Sequence, residues 1–288
     1  MSAQPTAPSN AFRMTDGQSL YQMERPWQKP SPLGNVGVIS QLAVDSRGHV
    51  FVLQRTAPRV LVYDREGQLE RSFDHPQLPT GHGIFIDHHD QIYLVSYDAH
   101  QVLVFDRDFH LRMELGTFNT PTWGAPFSHP TDVAVAPDGD IYVSDGYGNA
   151  FVHRFDRQGR HLATWGGVGD GPGQLSTPHG VWVLGDDRVA VCDRDNNRIQ
   201  VFDRAGRFLE AWGDLLRPMD IWSDGRSIFV TEQSPRLARL DMAGRVQARL
   251  RTFGVYPHGV AGDADGNLFI AEQGPTHCVT KYQRVGPA

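Results

Sequence analysis

Pro178-His179-Gly180-Val181-Trp182-Val183 sets a His-Gly pair in front of an apolar run, and the chain repeats that arrangement at His82-Gly83-Ile84-Phe85-Ile86 and Pro257-His258-Gly259-Val260. Runs of similar polarity without the histidine lie between the copies: Leu42-Ala-Val-Asp45, Val133-Ala-Val-Ala136 and Ile221-Trp-Ser-Asp224. Aligned on all six, the chain divides into units that open at Ser40, His82, Thr131, His179, Met219 and His258. The openings stand roughly 40 to 50 residues apart, which suits four short strands and their turns. The histidines fall on every second unit. Closing the units into a ring therefore aims three imidazoles at one axis.

Within each unit the first strand leads to a tight turn such as Pro137-Asp-Gly139 or Asp263-Ala-Asp-Gly266, then to a second strand such as Ile141-Tyr-Val-Ser144 or Leu268-Phe-Ile-Ala271. A third strand ends in Val-Phe-Asp106, Arg-Phe-Asp156 or Val-Phe-Asp203, and a fourth follows a Gly turn. Short alternating runs bounded by Gly and Asp turns are a strand signal. The expectation is an all-β chain: a flexible tail over residues 1–18, then one six-bladed β-propeller over residues 19–288. The sixth unit runs out after its third strand, near Tyr282. Ser19-Leu-Tyr-Gln-Met23 is expected to supply the missing outer strand, closing the ring and leaving no exposed edge at the seam.

The 288 residues carry a formal net charge of -6 with both signs interspersed, so no basic stripe for nucleic acid is present. The 30 glycines and 19 prolines are spread along the chain, as many tight turns require. Cys192 and Cys278 fall in different units and read as reduced. Neither a secretory-type apolar run nor a stretch of about 18 apolar residues occurs, and the expected compartment is the cytoplasm. Oligomeric state leaves no trace in the sequence.

In an antiparallel pair the start of the first strand lies beside the end of the second. His82, His179 and His258 therefore share one mouth with Gln54-Arg55, Ser96-Tyr97, Asp145-Gly-Tyr147, Asp193-Arg194, Glu232-Gln233 and Glu272-Gln273. Neutral imidazole suits zinc, with Fe(II), Mn or Co as other first-row choices, and three protein ligands with one open position is a catalytic arrangement. A single histidine here would more often satisfy a turn; three at equivalent positions favour metal. Tyr147, between Gly146 and Gly148, can approach the axis, although spacing alone slightly favours a tyrosine packed on a loop. A phenol, with a pKa of about 10, serves as a base near neutral pH only beside a cation or metal. Arg55 and Arg194 end second strands, where a guanidinium can pair a carboxylate bidentately. His88-His89-Asp90 lies in a turn on the opposite face and is expected to be solvent-exposed. The glycines from Gly166 to Gly173 lack the Lys-Ser/Thr of a phosphate loop, and no Gly-x-Ser-x-Gly elbow occurs.

Gly169-Asp-Gly-Pro-Gly-Gln-Leu175, Thr177-Pro-His-Gly180 and Asp193-Arg-Asp-Asn-Asn-Arg-Ile-Gln-Val-Phe202 resemble an NHL repeat. With Pro130-Thr-Asp-Val-Ala-Val135 and Tyr142-Val-Ser-Asp-Gly-Tyr147, they resemble more narrowly the peptidylamidoglycolate lyase family, the lyase domain of peptidylglycine alpha-amidating monooxygenase. The resemblance implies cleavage of an N-acyl-alpha-hydroxyglycine carbinolamide to an amide and glyoxylate. It also implies zinc on His82, His179 and His258, Tyr147 as base, and Arg194 and Arg55 as supporting cations. The implied partner is a small carboxylate-bearing substrate, with no organic cofactor, nucleic acid or membrane. Two departures stand out. The family places a carboxylate for a structural calcium directly after the third histidine, where this chain has Gly259, so calcium is doubtful there. It places a cysteine after the motif tyrosine, where this chain has Gly148. Two other functions fit the same fold: a metal-dependent hydrolase such as a lactonase, which usually uses carboxylate ligands, and a non-enzymatic NHL scaffold that binds protein.

Overall fold

A computed structural model describes residues 12–185 and 187–288. Five four-stranded antiparallel sheets and one five-stranded sheet form the six blades of a propeller. The innermost strands are Ile39–Val44, Gly81–Ile86, Asp132–Val135, Pro178–Val183, Pro218–Ser223 and Tyr256–Gly262. Each touches the next around the ring, and the last touches the first. One short 3-10 turn, Arg194–Asn196, is the only helical element among the described residues.

The core follows from the alternation in sequence. Every blade turns one apolar face to each neighbour, which produces six clusters, each sandwiched between adjacent sheets as facing sheets pack. Val52, Leu61 and Phe269 fill the space between the last blade and the first; Val191, Phe202 and Tyr142 fill that between the third and fourth. The turns behave as their residues dictate. In Asp203-Arg-Ala-Gly206 the Asp203 carboxylate accepts the Ala205 amide at 3.0 Å, and Gly206 takes a φ of 88° that a side chain would strain.

The seam closes as expected, with an addition. Ser19–Glu24 pairs antiparallel with Cys278–Pro287, so the sixth blade takes strands from both halves of the chain. The expected tail is partly structured: Arg13–Thr15 folds back on Ser19–Glu24 as a fifth strand. Buried Asp16 anchors the hairpin, its carboxylate 3.2 Å from the Arg239 guanidinium, and Phe12 meets Phe253 edge to face. Residues 1–11 of that tail lie outside the described residues. Cys192 and Cys278 are free and buried. No helix among the described residues is long and apolar enough to cross a membrane.

The turn at His88-His89-Asp90 is exposed only at its histidines. Asp90 is buried because its carboxylate accepts the Ser46 amide and hydroxyl at 2.9 and 2.7 Å and pairs with Arg107 at 2.8 Å, tying the first blade to the second.

Candidate metal centre

In each histidine-bearing blade the register of the innermost strand shifts where the histidine sits: between Gly81 and Ile84, Pro178 and Val181, and Pro257 and Gly259. Such a bulge re-aims a side chain out of the pleat. The result is three buried imidazoles with ring centroids 5.0 to 5.1 Å apart and ligand atoms all within 4.8 Å of one another. Each Nδ1 bonds the carbonyl of the position that opens the next blade: His82 to Thr131 at 2.7 Å, His179 to Met219 at 2.7 Å and His258 to Ser40 at 2.5 Å. A carbonyl only accepts, so each Nδ1 carries the proton and each Nε2 offers a lone pair. Burial pushes all three rings toward the neutral form, His258 down to about 3 and the others well below the usual value; neighbouring imidazoles and the Arg55 and Arg194 charges add to it. Fixed tautomers, neutral rings and an all-nitrogen donor set fit a divalent first-row metal.

A second tier lies one residue further along the alternate blades: Gln41, Asp132 and Asp220, all buried. Each accepts the amide two residues after the neighbouring blade's histidine: Gln41 from Ile84 at 2.6 Å, Asp132 from Val181 at 3.0 Å and Asp220 from Val260 at 2.8 Å. Gln41 also donates to Asp220 at 2.9 Å. One oxygen of Asp132 has no partner, and a small void of about 10 Å³ lies between the tiers. Burial pushes both carboxyls up, Asp220 to about 6. The glycine after each histidine makes room for this packing. A Cβ on Gly83 would stand 2.8 Å from Thr131 O, one on Gly180 2.9 Å from Met219 O, and one on Gly259 3.0 Å from Gln41 Cα. The carboxylate that holds calcium in the resembling family therefore has neither counterpart nor room at Gly259. Sequence reasoning missed this tier. Its signal was there: a polar residue after each opening without histidine, a glycine after each opening with one.

The mouth is built by loops that follow the second strands. Asp145 ends one such strand and, fully buried, accepts the Ser128 amide at 2.9 Å and the Asn149 side chain at 2.7 Å. Asp193, Glu232 and Glu272 play the same part, paired with Arg198, Arg236 and Arg25. These carboxylates clamp loops and do not face the mouth, contrary to the grouping read from sequence; strand alternation sends the following residue there instead. Tyr147 is held by its amide on His129 O, at 3.3 Å. Its flanking glycines allow close approach, since a Cβ on Gly146 would stand 1.9 Å from Pro178 O and one on Gly148 2.2 Å from Ser128 Oγ. The Tyr147 hydroxyl reaches His82 Nε2 at 3.2 Å, His179 Nε2 at 3.0 Å and Arg194 Nη1 at 3.2 Å. Arg194 lies over the Tyr147 ring at 5.3 Å and is steadied by Asp195 at 3.1 Å. Arg55 donates from Nε to Ser40 Oγ at 3.0 Å, beside the carbonyl that holds His258. All six residues read from sequence as site residues thus gather at one end of the axis.

The NHL repeat model matches residues 127–155 and 175–202. Human NHL repeat-containing protein 3 is 31% identical over 292 aligned residues, covering 93% of this chain and 80% of that protein. Peptidyl-alpha-hydroxyglycine alpha-amidating lyase 1 of Drosophila melanogaster is 25% identical, covering 94% of this chain and 61% of its own. Among solved structures, a streptogramin B lyase superposes with a TM-score of 0.68 at 15% identity, covering 92% of this chain and 98% of its own, a likeness of fold. Repeats, closed ring and near full-length similarity agree: the chain belongs to the NHL-repeat propeller family of NHL repeat-containing protein 3 and is homologous to peptidylamidoglycolate lyases.

Proposed function

We propose that this propeller is a metal-dependent carbon-nitrogen lyase that cleaves an N-acyl-alpha-hydroxyglycine-type carbinolamide to an amide and glyoxylate. One observation carries the reading: the Tyr147 hydroxyl stands 3.0 to 3.2 Å from two tripod nitrogens and from Arg194. A base, a cation and a metal-ligating face thus converge on one point.

Zinc first, or another divalent first-row metal, on His82, His179 and His258 would supply Lewis-acid polarisation of the substrate's hydroxyl. Tyr147, as phenolate with its charge held by Arg194, takes the hydroxyl proton. The carbon-oxygen double bond forms as the carbon-nitrogen bond breaks, and the nitrogen leaves with the electron pair. Tyr147 returns the proton to that nitrogen, so the step balances without a further reactant. Arg55 pairs the substrate carboxylate and fixes which face of the carbinol meets Tyr147. The two free buried cysteines suit a reducing compartment, and we place the protein in the cytoplasm.

Elemental mass spectrometry of the wild type beside His179→Ala tests the site: about one metal per chain, lost in the variant. Tyr147→Phe is expected to keep the metal and lose about a thousandfold in glyoxylate release. Full turnover by Tyr147→Phe sinks the assignment of the base. Metal in neither wild type nor variant, even after reconstitution, leaves the protein-binding scaffold as the better reading.

A further inference from the structure

We infer that Tyr97 is a specificity-determining residue that selects substrates whose carbinolamide nitrogen carries an aromatic acyl group. The inference rests on the lyase reading and names the substrate class of the same site.

The residues one step past the buried polar ends of the six second strands are Arg55, Tyr97, Gly146, Arg194, Gln233 and Gln273. Two are cations suited to a carboxylate. Gln273 is polar and already spent, donating to Ile39 O at 2.7 Å. Tyr97 alone offers a flat apolar face at this position. Its ring lies 5.9 Å from that of His82 and 5.3 Å from that of Tyr147, nearly perpendicular to the latter at 89°. The two rings, in edge-to-face contact beside the tripod, form a right-angled corner against which a planar group can lie, held by the contacts that aromatic pairs prefer.

The corner is supported from behind. The His129 ring is 5.0 Å from Tyr97 and 4.3 Å from His100. His129 takes a φ of 60° and His100 one of 58°, left-handed values that side chains adopt only where their surroundings enforce them. The enforcing bonds are visible: His129 donates its amide to His100 Nδ1 at 3.1 Å and accepts the Tyr147 amide at 3.3 Å. One residue thus backs the Tyr97 ring and positions the base. The Tyr97 hydroxyl bonds nothing among the described residues, so no structural bond explains a tyrosine here. Burial and the nearby Asp98 charge also push its pKa up, which keeps it a neutral ring.

The test compares kcat/KM of the zinc-loaded protein for benzoyl- and acetyl-alpha-hydroxyglycine, alongside calorimetric binding of the unreactive N-benzoylglycine and N-acetylglycine. Wild type is expected to favour the benzoyl compound by on the order of tenfold or more. Tyr97→Phe keeps that ratio, because it keeps the face, and folded, metal-loaded Tyr97→Ala loses most of it along with the tighter binding of N-benzoylglycine. Glyoxylate release from neither compound by wild type counts against the lyase reading. A benzoyl-to-acetyl ratio and an N-benzoylglycine affinity that Tyr97→Ala leaves unchanged overturn the inference about Tyr97.

Discussion

The two tiers on the propeller axis occupy neighbouring positions of alternate blades and solve burial in opposite ways. The histidines spend their Nδ1 protons on carbonyls of the next blade and keep three lone pairs free. Gln41, Asp132 and Asp220 spend their oxygens on amides of the next blade and keep almost nothing free. The upper tier leaves three donor atoms free at one point, and the lower holds the blades together. A polar group on an axis is therefore not in itself a functional signal.

Acid separates the tiers most strongly. The folded imidazoles refuse protons that unfolded ones take below about pH 6.5, so the metal-free protein loses stability as pH falls through that value toward 3. At pH 5.5 the three rings together cost about 4 kcal/mol relative to pH 7 or above. Asp220, raised from 3.8 to about 6, works in the other direction: its contribution grows as pH falls through 6 and is lost as pH rises. Thermal melts of the metal-free protein between pH 7.5 and 5 should show a net fall, and Asp220→Asn should steepen it. A flat profile would mean that the rings are not held neutral.

Removing a lower-tier oxygen attacks the fold. Asp220→Ala strands the Val260 and Ile221 amides and the Gln41 side chain, and is expected to cost about 2 to 3 kcal/mol in denaturant melts. His179→Ala, measured with metal removed, should cost less, because it gives up the Met219 and Tyr147 bonds without stranding the three buried donors that Asp220 serves. Equal losses would erase the distinction between tiers. Gly180→Ala probes the boundary: its Cβ meets Met219 O and Asp220 Cα at 2.9 Å, so about 1 to 2 kcal/mol should be lost as the two tiers are pushed apart. Metal occupancy titrated in the same variant shows whether the strain reaches the histidines.

Much of this was legible in the residues. Six apolar runs at regular spacing give the blades, and the histidines on alternate runs give the tripod, because blade position is fixed by repeat number. Tyr147 was legible only as a residue free to approach the axis. That Gly146 is required by Pro178 O comes from a neighbouring blade, and that Gly148 is required by Ser128 Oγ comes from a segment some 20 residues earlier, which no local pattern encodes. The lower tier stayed hidden for the same reason, since its partners are backbone amides some 40 residues or more away. The strand Arg13–Thr15 was missed because three residues carry no alternation to read.

The sixth blade, stitched from Ser19–Glu24 and Cys278–Pro287, carries His258. A ribosome therefore delivers the first two imidazoles of the tripod well before the strand that secures the third. A product cut short just before Cys278 still carries His258, but on a strand whose blade lacks the outer strands that latch it, so the third imidazole is no longer held against His82 and His179. On the proposed metal site, metal retention would therefore report on whether the sixth blade is latched, and the metal-to-protein ratio would double as a count of finished molecules.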